Sequence, residues 1–272
     1  MDSKTTLYEY ESPASASIGE TSSTPLSVGP LDPHNLTFYN MQVAGHKGET
    51  AQKSARKIKL NRFLCDPKSG RILKPVSMYR GWRERKFYEL VWRKPEKANK
   101  AYIQELRKFV PGYFGKAKIE FYDNETVFLQ LEDLTFGLNK PSALDVKIGS
   151  VMWNKHAGCK KYCLGYFLSK TKTLSKLGFR IVGMKVFDAC RSSYLTLRDK
   201  SYPKTGFATE GRVLDIFSTY FSSHCRADWR DLCSQTIRQL QEILHYFEKY
   251  HKFTFLSSSV LMLYDSIPRH DV

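Results

Sequence analysis

The sequence predicts an α+β protein built on antiparallel sheets, and three observations carry that expectation. Its 272 residues suit one large domain or two small lobes with a real core. Short runs rich in β-branched and aromatic residues recur along the chain, from TVFLQLE at 126–132 to FTFLSSSVLMLY at 253–264. Between them, four segments repeat apolar residues at helical spacing. Strands come first and helices are interleaved, which is the α+β pattern.

The elements follow in order. Residues 38–46 read as an opening strand, and the basic stretch Lys47 to Arg62 as a loop or strand edge. Asp66-Pro67-Lys68-Ser69-Gly70 is a turn signal, followed by a short strand at Arg71–Lys74. Residues 81–93 suit a helix with Phe87, Leu90 and Val91 on one side, and residues 97–109 another with Tyr102, Ile103 and Leu106 inward. Pro111-Gly112 stops the second helix. Residues 126–132 and 143–149 are apolar strands, and 178–187 alternates long basic with apolar side chains as a strand does. Helices are expected at 209–222 and 234–250, the latter with the stripe Ile237, Leu240, Ile243, Leu244 and Phe247. Residues 253–264 read as a buried strand or hairpin.

Charge divides the chain. Residues 1–37 carry one lysine against five acidic residues, with four prolines, twelve Ser/Thr and no apolar period; they read as a disordered tail with net charge −4. The other 235 residues therefore carry +20 of the chain's +16. That basicity calls for a polyanionic partner: nucleic acid, an anionic membrane or a phosphorylated small molecule. No apolar run approaches a transmembrane span. No signal segment opens the chain, so its six cysteines read as reduced, buried or half-exposed thiols of a cytosolic or nuclear protein.

Common catalytic signatures are missing: G-x-x-x-x-G-K-S/T, G-x-G-x-x-G, H-R-D, D-F-G, G-x-S-x-G and H-E-x-x-H. Cys159 and Cys163 stand four apart, and Cys225 and Cys233 are loosely grouped with His224, which is not zinc-finger spacing; no structural metal site is expected. Asp145 and Lys147 are different. Two apart on an otherwise apolar strand, they leave the same face. On the surface this is an ordinary ion pair; in a pocket, the carboxylate suits a hydroxyl and the ammonium a transferring phosphate.

Residues 141–149, PSALDVKIG, carry the pattern P-x-x-x-D-x-K-x-G and resemble the signature of the inositol polyphosphate kinase family. Further likenesses follow in the family's order: Gln42–His46, Glu105–Pro111, Leu131–Leu134, Leu177–Ile181 and Ser257–Leu261. Asn139-Lys140-Pro141 resembles the multikinase branch, whereas Gly183–Phe187 and Ser257–Asp265 are equally similar to the hexakisphosphate kinases.

The resemblance implies a two-lobed, kinase-like (ATP-grasp, SAICAR-synthase-like) fold with the nucleotide between lobes. It divides the chain into the tail 1–37, a small ATP-binding lobe 38–134 ending at a hinge, and an inositol-phosphate-binding lobe 135–272. It implies that Lys74 holds ATP phosphates with Glu84 as partner, and that Glu132 and Leu134 bind adenine through their backbone. Asp145 would stand beside the ribose and the reacting hydroxyl, and Lys147 at a phosphate. Cations for the substrate would come from the segment after the signature, with Lys160, Lys161 and above all Lys170 as candidates and Lys155 and Lys172 nearby.

A family Asp-Phe element, whose aspartate binds Mg²⁺, has no counterpart before Val272, so the chain is expected to be a truncated form lacking its metal ligand. The expected activity is transfer of the γ-phosphate of ATP, with Mg²⁺, to an inositol polyphosphate by a monomer. A non-catalytic inositol-phosphate or phosphoinositide binder is the alternative, and a basic nucleic-acid-binding protein a further one, although no nucleic-acid module signature appears.

Overall fold

A computed structural model describes residues 7–8, 32–43, 62–76, 81–93, 100–121, 124–151, 159, 163, 166, 176–198, 209–222, 229–256 and 258–267. The chain forms two compact units, Met1–Gly137 and Leu138–Val272; the sequence placed the boundary after Leu134.

The first unit is a six-stranded antiparallel sheet in the order β1-β5-β6-β4-β3-β2. Its strands are β1 (Leu7–Tyr8), β2 (Thr37–Phe38), β3 (Leu64–Asp66), β4 (Arg71–Pro75), β5 (Tyr113–Phe121) and β6 (Asn124–Glu132). Helices α1 (Gly81–Trp92) and α2 (Ala101–Arg107) lie between β4 and β5. In β6, consecutive Phe128 and Leu129 are both fully buried because the strand is covered on both faces. Phe128 packs with Leu64, Leu73, Ala117 and Ile119, while Leu129 packs with Tyr88, Tyr113 and Leu131. Strand β5 escaped the sequence reading. Its alternation is real, with Ala117 and Ile119 inward and Lys116 outward, but alanine and lysine make a weak strand signal.

Asp66 closes the β3–β4 turn. Its Oδ1 accepts from Lys68 N at 3.0 Å and its Oδ2 from Asp32 N at 3.0 Å. Gly70 has φ +64, and a Cβ there would meet the Phe136 ring at 2.9 Å, so both conformation and space demand glycine.

The second unit is a four-stranded antiparallel sheet, β10-β7-β8-β9. The strands are β7 (Pro141–Ile148), β8 (Phe179–Asp188), β9 (Ser193–Arg198) and β10 (Ser259–Asp265), with helices α3 (Glu210–Ser222) and α4 (Trp229–Tyr250) between β9 and β10. One sheet face buries Leu144, Val146, Ile181, Met184 and Val186 against Val213, Ile216 and Tyr220 of α3 and Leu232 of α4. At roughly 1.5–3 kcal/mol per large buried side chain, this core fixes the orientation of β7.

Several expectations need correction. The stretch 1–37 is not wholly unstructured: Leu7–Tyr8 pairs with Lys118 and Ile119, and Pro33–Asn35 forms a 3-10 turn capped by Asp32. Main-chain pairing with an edge strand needs no apolar period, so composition could not reveal it. The opening strand is confined to Thr37–Phe38, residues 39–43 are not strand, and 44–46 lie outside the described residues. Residues 251–256 are not strand either; pairing begins at Ser259. In α1 the buried stripe runs through Gly81, Tyr88 and Val91, while Phe87 and Leu90 are only half-buried. In α4 the buried residues are Leu232 and Tyr246, while Ile237 and Leu244 are each 56% exposed. Leu240, Ile243 and Phe247 of the expected stripe are half-buried on that same side, so periodicity found the docked side but drew the stripe too wide.

Candidate active site

In the first unit, Lys74 leaves β4 towards α1. Its Nζ donates to Glu84 Oε1 at 2.5 Å, and the two side chains are 33% and 34% exposed. Glu84 reaches it because Gly81, Glu84, Tyr88 and Val91 recur at i, i+3, i+7 and i+10, placing Glu84 beside the buried stripe. The pair leaves Lys74 oriented but accessible, as a lysine needs to be to meet phosphate oxygens.

At the end of β6 the chain turns through Glu132–Gly137. The Glu132 carboxylate accepts from Gly112 N at 2.9 Å, while its own N–H donates to Gly112 O at 2.9 Å. Asp133 Oδ1 accepts from Thr135 N at 2.9 Å, Thr135 Oγ1 at 2.7 Å and Tyr39 OH at 3.0 Å. Burial, followed by the Asp133 charge, pushes the Tyr39 hydroxyl far above its ordinary range and keeps it a neutral donor. Asp133 N also donates to Gly70 O at 2.9 Å. This locked turn presents Leu134, 42% exposed, whose N–H donates to no hydrogen bond among the described residues. A backbone donor held in this way suits a planar acceptor such as a purine edge. The sequence did not assign Asp133 a role; its carboxylate turns out to hold the segment that Glu132 and Leu134 belong to.

In the second unit, Asp145 sits on β7 between Gly183 of β8 and Leu261 of β10. The β7–β8 register shifts between Asp145 and Val146, a bulge of the kind that re-aims side chains. Across from Asp145, Gly183 carries no side chain. Asp145 Oδ1 is buried and has no hydrogen-bond partner among the described residues. Buried polar atoms are almost always satisfied, and a carboxylate oxygen left in this way can accept a hydrogen bond from a ligand. Register puts Lys147, Arg180 and Lys185 on the same sheet face, with Lys147 directly opposite Arg180 and Ser259. Lys147 Nζ donates to Ser259 Oγ at 3.5 Å. One face of this sheet is thus apolar and covered by α3, while the other gathers cations around one acid.

Residues 128–271, more than half of the chain, match the family model for inositol polyphosphate kinase. The chain belongs to the inositol polyphosphate kinase family. The human inositol polyphosphate multikinase is 30% identical over 68% of this chain and 42% of its own length. Inositol polyphosphate multikinase alpha of Arabidopsis thaliana is 30% identical over 83% of this chain and 77% of its own length. The hexakisphosphate kinase 3 of mouse aligns over 54% of this chain at 30% identity. The chain therefore spans about half the length of the mammalian multikinases it matches. Among solved structures, the multikinase Ipk2 of S. cerevisiae, in complex with ADP and Mn²⁺, has a TM-score of 0.57 at 25% identity. It covers 73% of this chain and 76% of that one, and establishes the kinase-like fold.

For this family member, the structure brings Lys74 to Glu84 and sets Asp145 and Lys147 on one face, whereas Lys155, Lys160, Lys161, Lys170 and Lys172 lie outside the described residues. Arg180 and Lys185, which share that face, were not nominated from the sequence, although the basic–apolar alternation of 178–187 set them apart. The cysteine expectation needs correction: among the described residues Cys159, Cys163 and Cys190 are exposed and Cys65 and Cys233 half-buried, while Cys225 lies outside the described residues. Among the described residues no group of three or more His, Cys, Asp or Glu could hold a metal ion. No described helix is long and apolar enough to cross a membrane.

Proposed function

We propose that the chain is an ATP-dependent kinase that transfers the γ-phosphoryl group to a hydroxyl or phosphate of an inositol polyphosphate. The observation that carries the reading is Asp145 Oδ1, a buried acceptor without a partner on a face shared with Lys147, Arg180 and Lys185. A carboxylate there accepts the proton of the attacking hydroxyl as the new O–P bond forms, while the bond between the β- and γ-phosphates of ATP breaks and ADP leaves. Lys147 and Arg180, opposite each other on that face, would neutralise the charge of bound phosphates. Lys74, held by Glu84, binds nucleotide phosphates, and the Leu134 N–H with the Glu132 backbone meets adenine. A divalent ion accompanying the nucleotide, like the Mn²⁺ bound with ADP by the yeast relative, would supply further charge neutralisation.

The test is ADP release from Mg·ATP with inositol tris- to hexakisphosphates as separate acceptors, for the full chain and for Asp145→Asn. Acceptor-dependent release that the variant loses supports the reading. Equal background from both proteins overturns catalysis, and thermal stabilisation by inositol phosphates with none by ATP identifies a non-catalytic binder. Polyanion binding that collapses at physiological salt identifies non-specific charge alone.

A further inference from the structure

Cys159 and Cys163 stand outside everything described so far. Both are helical, one turn apart, exposed and free, and their sulfurs are 3.9 Å apart. That distance discriminates between the fates open to two thiols. A disulfide needs about 2 Å between sulfurs, far shorter than this separation. Two thiolates sharing a tetrahedral soft cation with bonds of about 2.3 Å stand about 3.8 Å apart. The observed separation matches the second case. The other described cysteines, Cys65, Cys190 and Cys233, have no such partner thiol among the described residues.

We infer that Cys159 and Cys163 form a dithiol site for one soft, thiophilic metal centre, bound across the two sulfurs. On binding a divalent cation, each thiol releases its proton to solvent and forms one sulfur–metal bond; water or an exogenous ligand completes the coordination. With a monosubstituted arsenic(III) oxide, the two sulfur–arsenic bonds form as the two thiol protons and the oxide oxygen leave as one water. The site is independent of the phosphoryl-transfer reading and survives its failure.

The experiment uses the full, reduced chain with two probes, phenylarsine oxide followed by intact mass and Cd²⁺ followed by calorimetry with Zn²⁺ as competitor. One equivalent of each is expected to bind tightly. Cys159→Ser and Cys163→Ser should each weaken binding by about 100-fold, because losing one arm removes the gain from simultaneous engagement. Cys190→Ser should leave it unchanged. Both serine variants alter exposed side chains, and unchanged circular dichroism checks that they fold. Binding within threefold of wild type in either Cys159→Ser or Cys163→Ser overturns the site, as does an equal loss in Cys190→Ser. Quantitative closure to an intrachain disulfide in dilute glutathione disulfide, with no Cd²⁺ binding by the reduced chain, would also overturn it.

Discussion

The acids of the two candidate sites, one in each unit, are held in opposite ways. In the first, every acid placed near the candidate nucleotide site is already paired: Glu84 with Lys74, Glu132 with Gly112 N, and Asp133 with Tyr39 and Thr135. In the second, Asp145 has a buried oxygen with no hydrogen-bond partner among the described residues. Pairing holds a site in shape before a ligand arrives, whereas an unsatisfied group costs stability until a ligand satisfies it. The first unit is organised in advance, and the second is left incomplete at Asp145.

The sharpest way to break that contrast is Asp145→Asn. Phosphoryl transfer should fall by about 10²–10⁴-fold, the usual contribution of a positioned acid or base. The melting temperature should hold steady or rise, since a neutral amide replaces a buried, unpartnered carboxylate oxygen. A clear drop in thermal stability would show that Asp145 is a structural residue and would erase the distinction between the units.

Next comes Asp133→Ala in the first unit. Removing the shared acceptor leaves Tyr39 OH and the Thr135 donors without it and should cost about 2–4 kcal/mol in urea unfolding. Nucleotide binding should weaken together with stability, because the turn carrying Leu134 loses its anchor. A neutral result would mean the turn is held by its backbone bonds to Gly70 and Phe136 alone.

Lys74→Met should show a smaller, more selective effect. ATP affinity falls about tenfold, as loss of one charge-assisted contact implies. Stability changes by less than about 1 kcal/mol, because the Lys74–Glu84 pair is a third exposed. Equal ATP binding by variant and wild type, measured by calorimetry, would remove Lys74 from the site.

The mildest effect is one of pH. Burial alone would raise the Asp66 pKa, but hydrogen bonds from Asp32 N, Lys68 N and Ser69 outweigh it and hold the carboxyl below its usual value. A folded-state value below the unfolded one contributes stability that is complete above about pH 4 and is lost as pH falls through the folded value. Unfolding free energy measured downward from pH 5 should decline, and Asp66→Asn should flatten part of that decline. An unchanged slope would show that Asp66 contributes nothing to acid sensitivity.

Much of the second unit was legible in the sequence, because strands buried on one face keep their alternation: 143–149 and 178–187 correspond to β7 and β8, and the same alternation holds Arg180 and Lys185 on the polar face. The first unit was harder. Strand β5 hides behind alanine and lysine, and β1 is two residues that pair through main chain alone. Lys74 and Glu84 could be nominated by resemblance, but only packing of α1 explains why Glu84, rather than another charge on that helix, reaches the lysine.

By itself, the sequence determined what depends on local order along the chain: the α+β class, the Asp66–Gly70 turn, the four helices, and the signature that puts Asp145 and Lys147 on one face. These follow from side-chain period and from residue types that tolerate only certain backbone angles. Tertiary structure alone decided which helix face is buried, which strands neighbour one another, that Asp133 rather than solvent receives Tyr39, and that Asp145 keeps a buried oxygen without a partner. Those outcomes depend on residues tens of positions apart meeting across a sheet, and no local pattern encodes the register in which they meet.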